Sequence, residues 1–453
     1  MNKILEELQK FSITKYGFFP EIKPRELPDT FNEWKQLKLN IARHLKNESL
    51  VDFVNEQLKQ ISCDSTNLPD EYLQTASVYI THIAHAYAYE VRRKKQSPKE
   101  KITFPDNIEL PWQQITLRLG RAQPQGVFYE YFSWNMLDEE TLLFNLFNSN
   151  TNIKFSTCFS YVEKTLGKCV PHVYAIHKHL TNYTLTPADL RSHLLNMIEP
   201  IYAATANMRT MINTSRFDAE YYVNPALWTK TSAVIGASSR DGEVGMSGGA
   251  APVFKLLDIF VGRKRYDSEL GRQMLEKVYL DKHVEFMNKI QANVDNVLNY
   301  IFEEANGCSK LFSQISQLYY GEYGYFGVHQ KKVYGFMLVG LSAGRTSTNG
   351  GTLNNNQNNA VQSLDHEFTK ARKERDIQLK SNETLTLRVK RSIMMGSDLK
   401  HLLLDAQDKL FRIWPGDKLS IVPKNSEQEI NSCLDAVRSL IDQTWVIIKY
   451  NYS

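Results

Sequence analysis

Apolar residues recur every three or four positions along most of this chain, and that spacing predicts helices rather than strands. Residues 33–60 carry Trp34, Leu37, Leu39, Ile41 and Leu45, then Leu50, Phe53, Val54 and Leu58. Residues 70–94 repeat the pattern with Tyr72, Leu73, Ala76, Val78, Tyr79, Ile83 and Ala84. Leu110-Pro-Trp112 punctuates the chain before another helix. Residues 156–181, 186–214, 252–262, 268–304 and 310–341 also read as helices, and a C-terminal helix is expected near 427–449. Period-two alternation is scarce, and Leu385-Thr-Leu-Arg-Val389 is the best short strand candidate. The expected fold class is all-α.

Three regions follow from this pattern. Residues 1–108 form an N-terminal helical region, 109–362 a helical core, and 363–453 a C-terminal helical extension packed on that core. Residues 342–362 are poor in hydrophobics and rich in Gly, Ser, Thr and Asn, including Asn354-Asn-Asn-Gln-Asn-Asn359. That composition reads as a flexible loop, either a linker or a lid that orders over a pocket. No internal repeat is present.

A chain of 453 residues can bury a large core. With 42% hydrophobic and 23% charged residues it has the make-up of a soluble globular protein, and no run approaches the roughly 20 apolar residues that span a bilayer. The net charge of +4 includes no long basic block, so nucleic acid is not an expected partner. The five cysteines (Cys63, Cys158, Cys169, Cys308, Cys433) are scattered, with no CxxC pair, which argues against a zinc site or a disulfide framework. The start, Met1-Asn-Lys-Ile-Leu-Glu-Glu-Leu8, is amphipathic and lacks a signal-like apolar stretch. A reduced, cytoplasmic setting is expected.

The candidate chemistry gathers in the third quarter. Gly245-Met-Ser-Gly-Gly-Ala-Ala-Pro252 and Ser342-Ala-Gly-Arg-Thr-Ser-Thr-Asn-Gly-Gly-Thr352 are small-residue loops that let a flat ligand approach the backbone. Between them lies His329, in Tyr323-Gly-Tyr-Phe-Gly-Val-His329. A neutral imidazole is a common metal ligand, and the combination points to a planar cofactor with an axial histidine, hence haem. Periodicity alone reads His329 equally well as a core histidine.

These blocks carry a resemblance over about Leu110 to Thr352. Leu110-Pro-Trp, Leu119-Gly and Val127-Phe-Tyr-Glu-Tyr-Phe-Ser-Trp134 are similar to the distal-pocket segment of the indoleamine 2,3-dioxygenase superfamily. Gly245–Asp258 resembles its loop against the haem and the helix that follows. Tyr325-Phe-Gly-Val-His329 followed by Thr348-Asn-Gly-Gly-Thr352 resembles its proximal-histidine helix and the loop after it. Within the superfamily the bacterial branch of monodechloroaminopyrrolnitrin synthase looks nearest. The resemblance implies an all-helical fold with haem b between a smaller N-terminal and a larger C-terminal part.

It further implies roles residue by residue. His329 is the proximal iron ligand, with His283 as its competitor. Ser247, Gly248, Gly249 and Ala250 line the haem edge, where Ser247 also reads as a cap of the helix starting near Pro252. Tyr129, Phe132, Ser133 and Phe155 map to the distal pocket, and Thr348 and Thr352 to substrate contacts. Phe217 matches an aromatic that packs on an indole. Two positions depart from the family. Phe159 stands about where the dioxygenases carry a distal serine, between Ser156 and Ser160. Tyr222 stands where tryptophan-cleaving members carry the arginine that grips the substrate carboxylate, and a tyrosine cannot make that bidentate charged pair. Arg209 and Arg216 are the nearby arginines. Outside these blocks, His82 and His85 lie one helical turn apart, and His172, His177 and His179 read as polar helix surface.

The implied activity is a haem-dependent oxygenase using dioxygen on tryptophan or a related indole. Two alternatives stay open: haem-dependent ring rearrangement of a substituted tryptophan, and haem binding or sensing without oxygenase turnover. The expected ligand is a small indole or aromatic amino acid; assembly as a homo-oligomer is left open.

Overall fold

The computed structural model describes residues 1–56, 65–96, 101–138, 140–214, 216–235, 239–240, 250–263 and 273–342, and the segments 347–348, 351–352, 384–394, 400–405, 421–422 and 445–449. The chain separates into two compact units, Met1–Ala371 and Arg372–Ser453.

The described part of the first unit is mostly helical, and its helices break where the backbone forces a break. The expected 33–60 helix divides into α2 (Asn32–Asn47) and α3 (Leu50–Glu56), after α1 (Asn2–Gln9). Glu48 stands between them in the left-handed region at φ 55°, which ends α2. α4 (Leu73–Lys94) is buried along most of its length, and α5 (Asp106–Arg118) packs beside it. α6 (Phe128–Tyr131) is a single turn. The expected 156–181 helix is two, α7 (Asn150–Gly167) and α8 (Val170–Thr181), and Pro171 opens the second.

α9 (Pro187–Met211) starts at Thr186, whose hydroxyl accepts from the Asp189 backbone N–H at 3.1 Å. Asn224 caps α10 (Pro225–Lys230) in the same way, and α11 (Ser232–Ile235) and α12 (Pro252–Phe260) follow. α13 (Asp281–Gln291), α14 (Val294–Phe302), α15 (Ser309–Tyr320) and α16 (Tyr325–Ser342) complete the set. α9 runs beside α7, α8, α15 and α16, so the elements carrying the candidate chemistry share one core. No described helix is long and apolar enough to cross a membrane.

α15 and α16 are separated at Gly321–Gly324. A Cβ at Gly327, in the first turn of α16, would collide with the Glu322 carbonyl. Only glycine lets that turn fold back so closely.

The expected loop 342–362 includes a two-residue antiparallel pair, β1 (Ser347–Thr348) with β2 (Gly351–Thr352), in the register Ser347 to Thr352. Its remaining residues lie outside those described. In the second unit the described segments are strands: β3 (Thr384–Met394), β4 (Lys400–Asp405), β5 (Ile421–Val422) and β6 (Trp445–Lys449), antiparallel in the order β4-β3-β6-β5. Leu385–Val389 is therefore a strand, as its alternation predicted. The C-terminal helix expected near 427–449 is corrected at its end, where Trp445–Lys449 pairs with Thr384–Arg388. Trp445-Val-Ile-Ile-Lys is a β-branched apolar run, and such a short run is consistent with either a buried helix or a strand until a partner strand is known.

Candidate functional site

α7 carries two adjacent stripes. Phe155 and Phe159, four residues apart, point along one face, and Ser156, Ser160 and Glu163 run beside them at helical spacing. All five are buried. Phe132, which follows α6, packs on Phe159 with ring centres 5.1 Å apart and on Phe155 at 6.1 Å. Phe155 and Phe159 are 4.9 Å apart. Trp228 of α10 joins Phe155 at 5.6 Å, and Phe336 of α16 meets Trp228 at 4.7 Å.

His329 completes this aromatic wall. Its ring lies edge-to-face with Phe159 at 5.9 Å and 87°, and parallel to Tyr325 at 6.0 Å and 14°. Thus Phe132 and Phe155, both expected in the pocket, come together with His329, and Phe159 is the ring that joins them. Phe159 and His329 face one another although 170 residues separate them in the chain.

The polar edge of the wall is Glu163. It is buried, and the Ser133 hydroxyl approaches its carboxyl without closing a hydrogen bond of normal geometry. Burial raises its pKa to about 8, so it holds its proton at neutral pH. The hydroxyls of Ser133, Ser156 and Ser160 are likewise buried without a hydrogen-bond partner. Four such groups on one stretch of the core are unusual, because buried polar groups are normally satisfied. Glu163, Trp228 and Phe336 escaped the sequence reading. The available signal for Glu163 was its place one turn beyond Phe159 on the same stripe.

Other expected residues sit elsewhere. Tyr129 shares its hydroxyl hydrogen bond with His283 Nδ1 at 2.7 Å and stacks on Trp134 at 4.8 Å. It therefore joins the His283 neighbourhood and not the aromatic wall. Phe217, expected to pack on an indole, is 84% exposed. Its segment turns outward, held by the exposed Arg216–Asp218 ion pair at 2.9 Å and by Asn213 N–H donating to the Tyr221 carbonyl at 3.0 Å. Tyr222 is half-buried at the base of that segment, and Arg209 donates to the Tyr323 carbonyl at 2.9 Å. Ala250 is buried at the entry to α12, while Ser247, Gly248 and Gly249 lie outside the described residues. Thr348 and Thr352 stand on the β1–β2 pair.

His82 Nδ1 meets the Val78 carbonyl at 2.8 Å and its ring stacks on Phe144, while its Nε2 is buried without a hydrogen-bond partner. Burial lowers His82, His177 and His283 to about 4. His177, expected on the surface, is instead buried in the face of α8 turned to the core. His172 and His193 meet Nδ1 to Nδ1 at 3.1 Å. Among the described residues no group of three or more His, Cys, Asp or Glu could hold a metal ion, so a metal here would depend on a cofactor ring and a single axial ligand.

His329 fits such a group in kind, as one imidazole at the end of an aromatic wall. Phe159, with its ring centre 5.9 Å from that of His329, is the side chain that would border such a group. No known protein-family profile matches the chain, and no curated protein matches it.

Proposed function

We propose that this protein is a haem-dependent oxygenase acting on tryptophan or a related indole, with His329 as the proximal ligand. The observation that carries the reading is the meeting of His329 with Phe159, Phe132 and Phe155. A single histidine facing an aromatic wall is what a planar cofactor with an aromatic substrate requires. Bound there, a haem would supply the dioxygen chemistry. The chain's own part is to hold and orient. His329 provides the imidazole, stacked against Tyr325. Phe132, Phe155 and Phe159 exclude water and offer faces to a flat ligand.

One feature favours a second reading. Phe159, in place of a hydroxyl, cannot donate a hydrogen bond to anything held opposite His329. That is compatible with ring rearrangement of a substituted tryptophan, or with haem binding or sensing that involves no oxygen insertion.

The test is an absorption spectrum of the protein produced with ample haem, beside His329→Ala. The expected result is a strong Soret band in the wild type that is lost or altered in the variant. A colourless wild type that also takes up no added haem refutes the reading. Product mass then separates dioxygenation, which adds two oxygen atoms, from rearrangement.

A further inference from the structure

We infer that Glu163 is the residue that selects the ligand of the aromatic wall, and that it selects a cationic or N–H-donating aromatic, such as an arylalkylamine, over an aromatic carboxylate. The inference rests on the wall being the ligand site and does not need the haem.

Three observations lead there. Glu163 lies one helical turn from Phe159 on α7, and Ser133, the hydroxyl beside its carboxyl, directly follows Phe132, which packs on Phe159. The carboxyl is therefore flanked, along α7 and through Ser133, by two rings of the aromatic wall. Second, both carboxyl oxygens are buried without a hydrogen-bond partner. Leaving such a group unpaired is costly, and a ligand bringing a donor would relieve that cost. Third, Glu163 forms no ion pair among the described residues, and Arg121, the buried arginine of the same core, is paired with Glu130 at 2.7 Å. An incoming ammonium would meet a carboxyl that has no competing cation, whereas an incoming carboxylate would meet a second acid.

The aromatic faces act in the same direction. A cation held beside Phe or Trp rings gains from their negative faces, and an anion does not. Pairing with an ammonium also ionises Glu163. The carboxyl proton leaves to solvent, the carboxylate forms, and the ammonium remains charged.

The experiment is isothermal titration of the full chain, supplied with haem, using three probes that share the indole ring: tryptamine, 3-methylindole and indole-3-propionate. Tryptamine is expected to bind at least about tenfold tighter than indole-3-propionate, the ratio that about 1.4 kcal/mol produces. In Glu163→Gln that ratio is expected to fall close to one. Titration of the wild type at pH 7 in buffers of different ionisation enthalpy should show close to one proton released per tryptamine, and none for 3-methylindole. This second readout needs no variant and survives a Glu163→Gln chain that fails to fold.

Equal or tighter binding of the carboxylate overturns the inference. So does a preference unchanged in Glu163→Gln, an absence of proton release, or a failure of all three probes to bind. The Soret band in the same samples keeps the two claims apart. A preference for tryptamine without a Soret band leaves this inference standing and removes the haem; a Soret band without the preference does the reverse.

Discussion

Glu130 and Glu163 are two glutamates of the same core, 0% and 1% exposed, with opposite surroundings. The Glu130 carboxylate accepts from Ser77 at 2.6 Å, from Arg121 at 2.7 Å and from the Val127 backbone N–H at 3.2 Å. It ties α4, α6 and the segment before α6 into one buried network. Glu163 has only the nearby Ser133 hydroxyl, and burial holds it protonated. A buried carboxylate with its charge balanced is part of the scaffold. A buried carboxyl without partners does nothing for stability, and this one lies one helical turn from Phe159, the ring that faces His329. The contrast separates the framework of this protein from its candidate site.

Changing pH should pull the two apart most. His82, His177 and His283 have folded values near 4 against an ordinary value of 6.5. The unfolded chain therefore binds more protons between those limits. Their contribution is fully present above pH 6.5 and lost as pH falls towards 4, by up to on the order of 3 kcal/mol per histidine. Glu163 has the reverse sign. Its folded value of about 8 lies above the ordinary value of 4.5, so it weakens the fold as pH rises from 4.5 to 8. Urea unfolding from pH 4 to 9 should show the wild type declining at both ends. Glu163→Gln should remove the decline between pH 6.5 and 8 and steepen the acid limb, because Glu163 opposes the histidines between pH 4.5 and 6.5. An alkaline decline that persists in Glu163→Gln would contradict this assignment of groups.

Removing a partner from the Glu130 network comes next in size. Arg121→Ala leaves a buried carboxylate without its cation and should cost about 3–5 kcal/mol in the same urea experiment at pH 7. A loss below 1 kcal/mol would mean that Glu130 and Glu163 do not differ in the way their partners imply. The smallest effect tests the surface. Phe217→Ala should change stability by no more than about 0.5 kcal/mol and leave tryptamine affinity unchanged, because the ring touches neither the wall nor Glu163. A weakening of tryptamine binding in that variant would return Phe217 to the site.

Much of the helical scaffold was legible along the chain. The apolar spacing around Trp34–Leu45 and Leu73–Ala84 located α2 and α4, whereas the single helix read over 310–341 is divided at Gly321–Gly324 into α15 and α16. Aromatic and histidine candidates were legible too, and Phe132, Phe155 and His329 do meet. Phe217 was misplaced because its ring reads the same whether its segment turns in or out. The Arg216–Asp218 pair, set by a local turn, decides that it turns out. The strand at Trp445–Lys449 was missed for a related reason. An apolar run of five residues takes its state from the strand beside it, here Thr384–Arg388, some sixty residues away.

The sequence by itself determined which faces of the helices are apolar, and that one histidine stands among aromatics near the end of the helical part. The tertiary structure alone decided that Phe159 is the ring facing His329, that Glu130 is paired, and that Glu163 is not. Periodicity is a property of neighbours three and four residues apart, so it is written in the chain. Pairing of a buried charge depends on which distant helix is brought against it, and that is settled only when the helices pack.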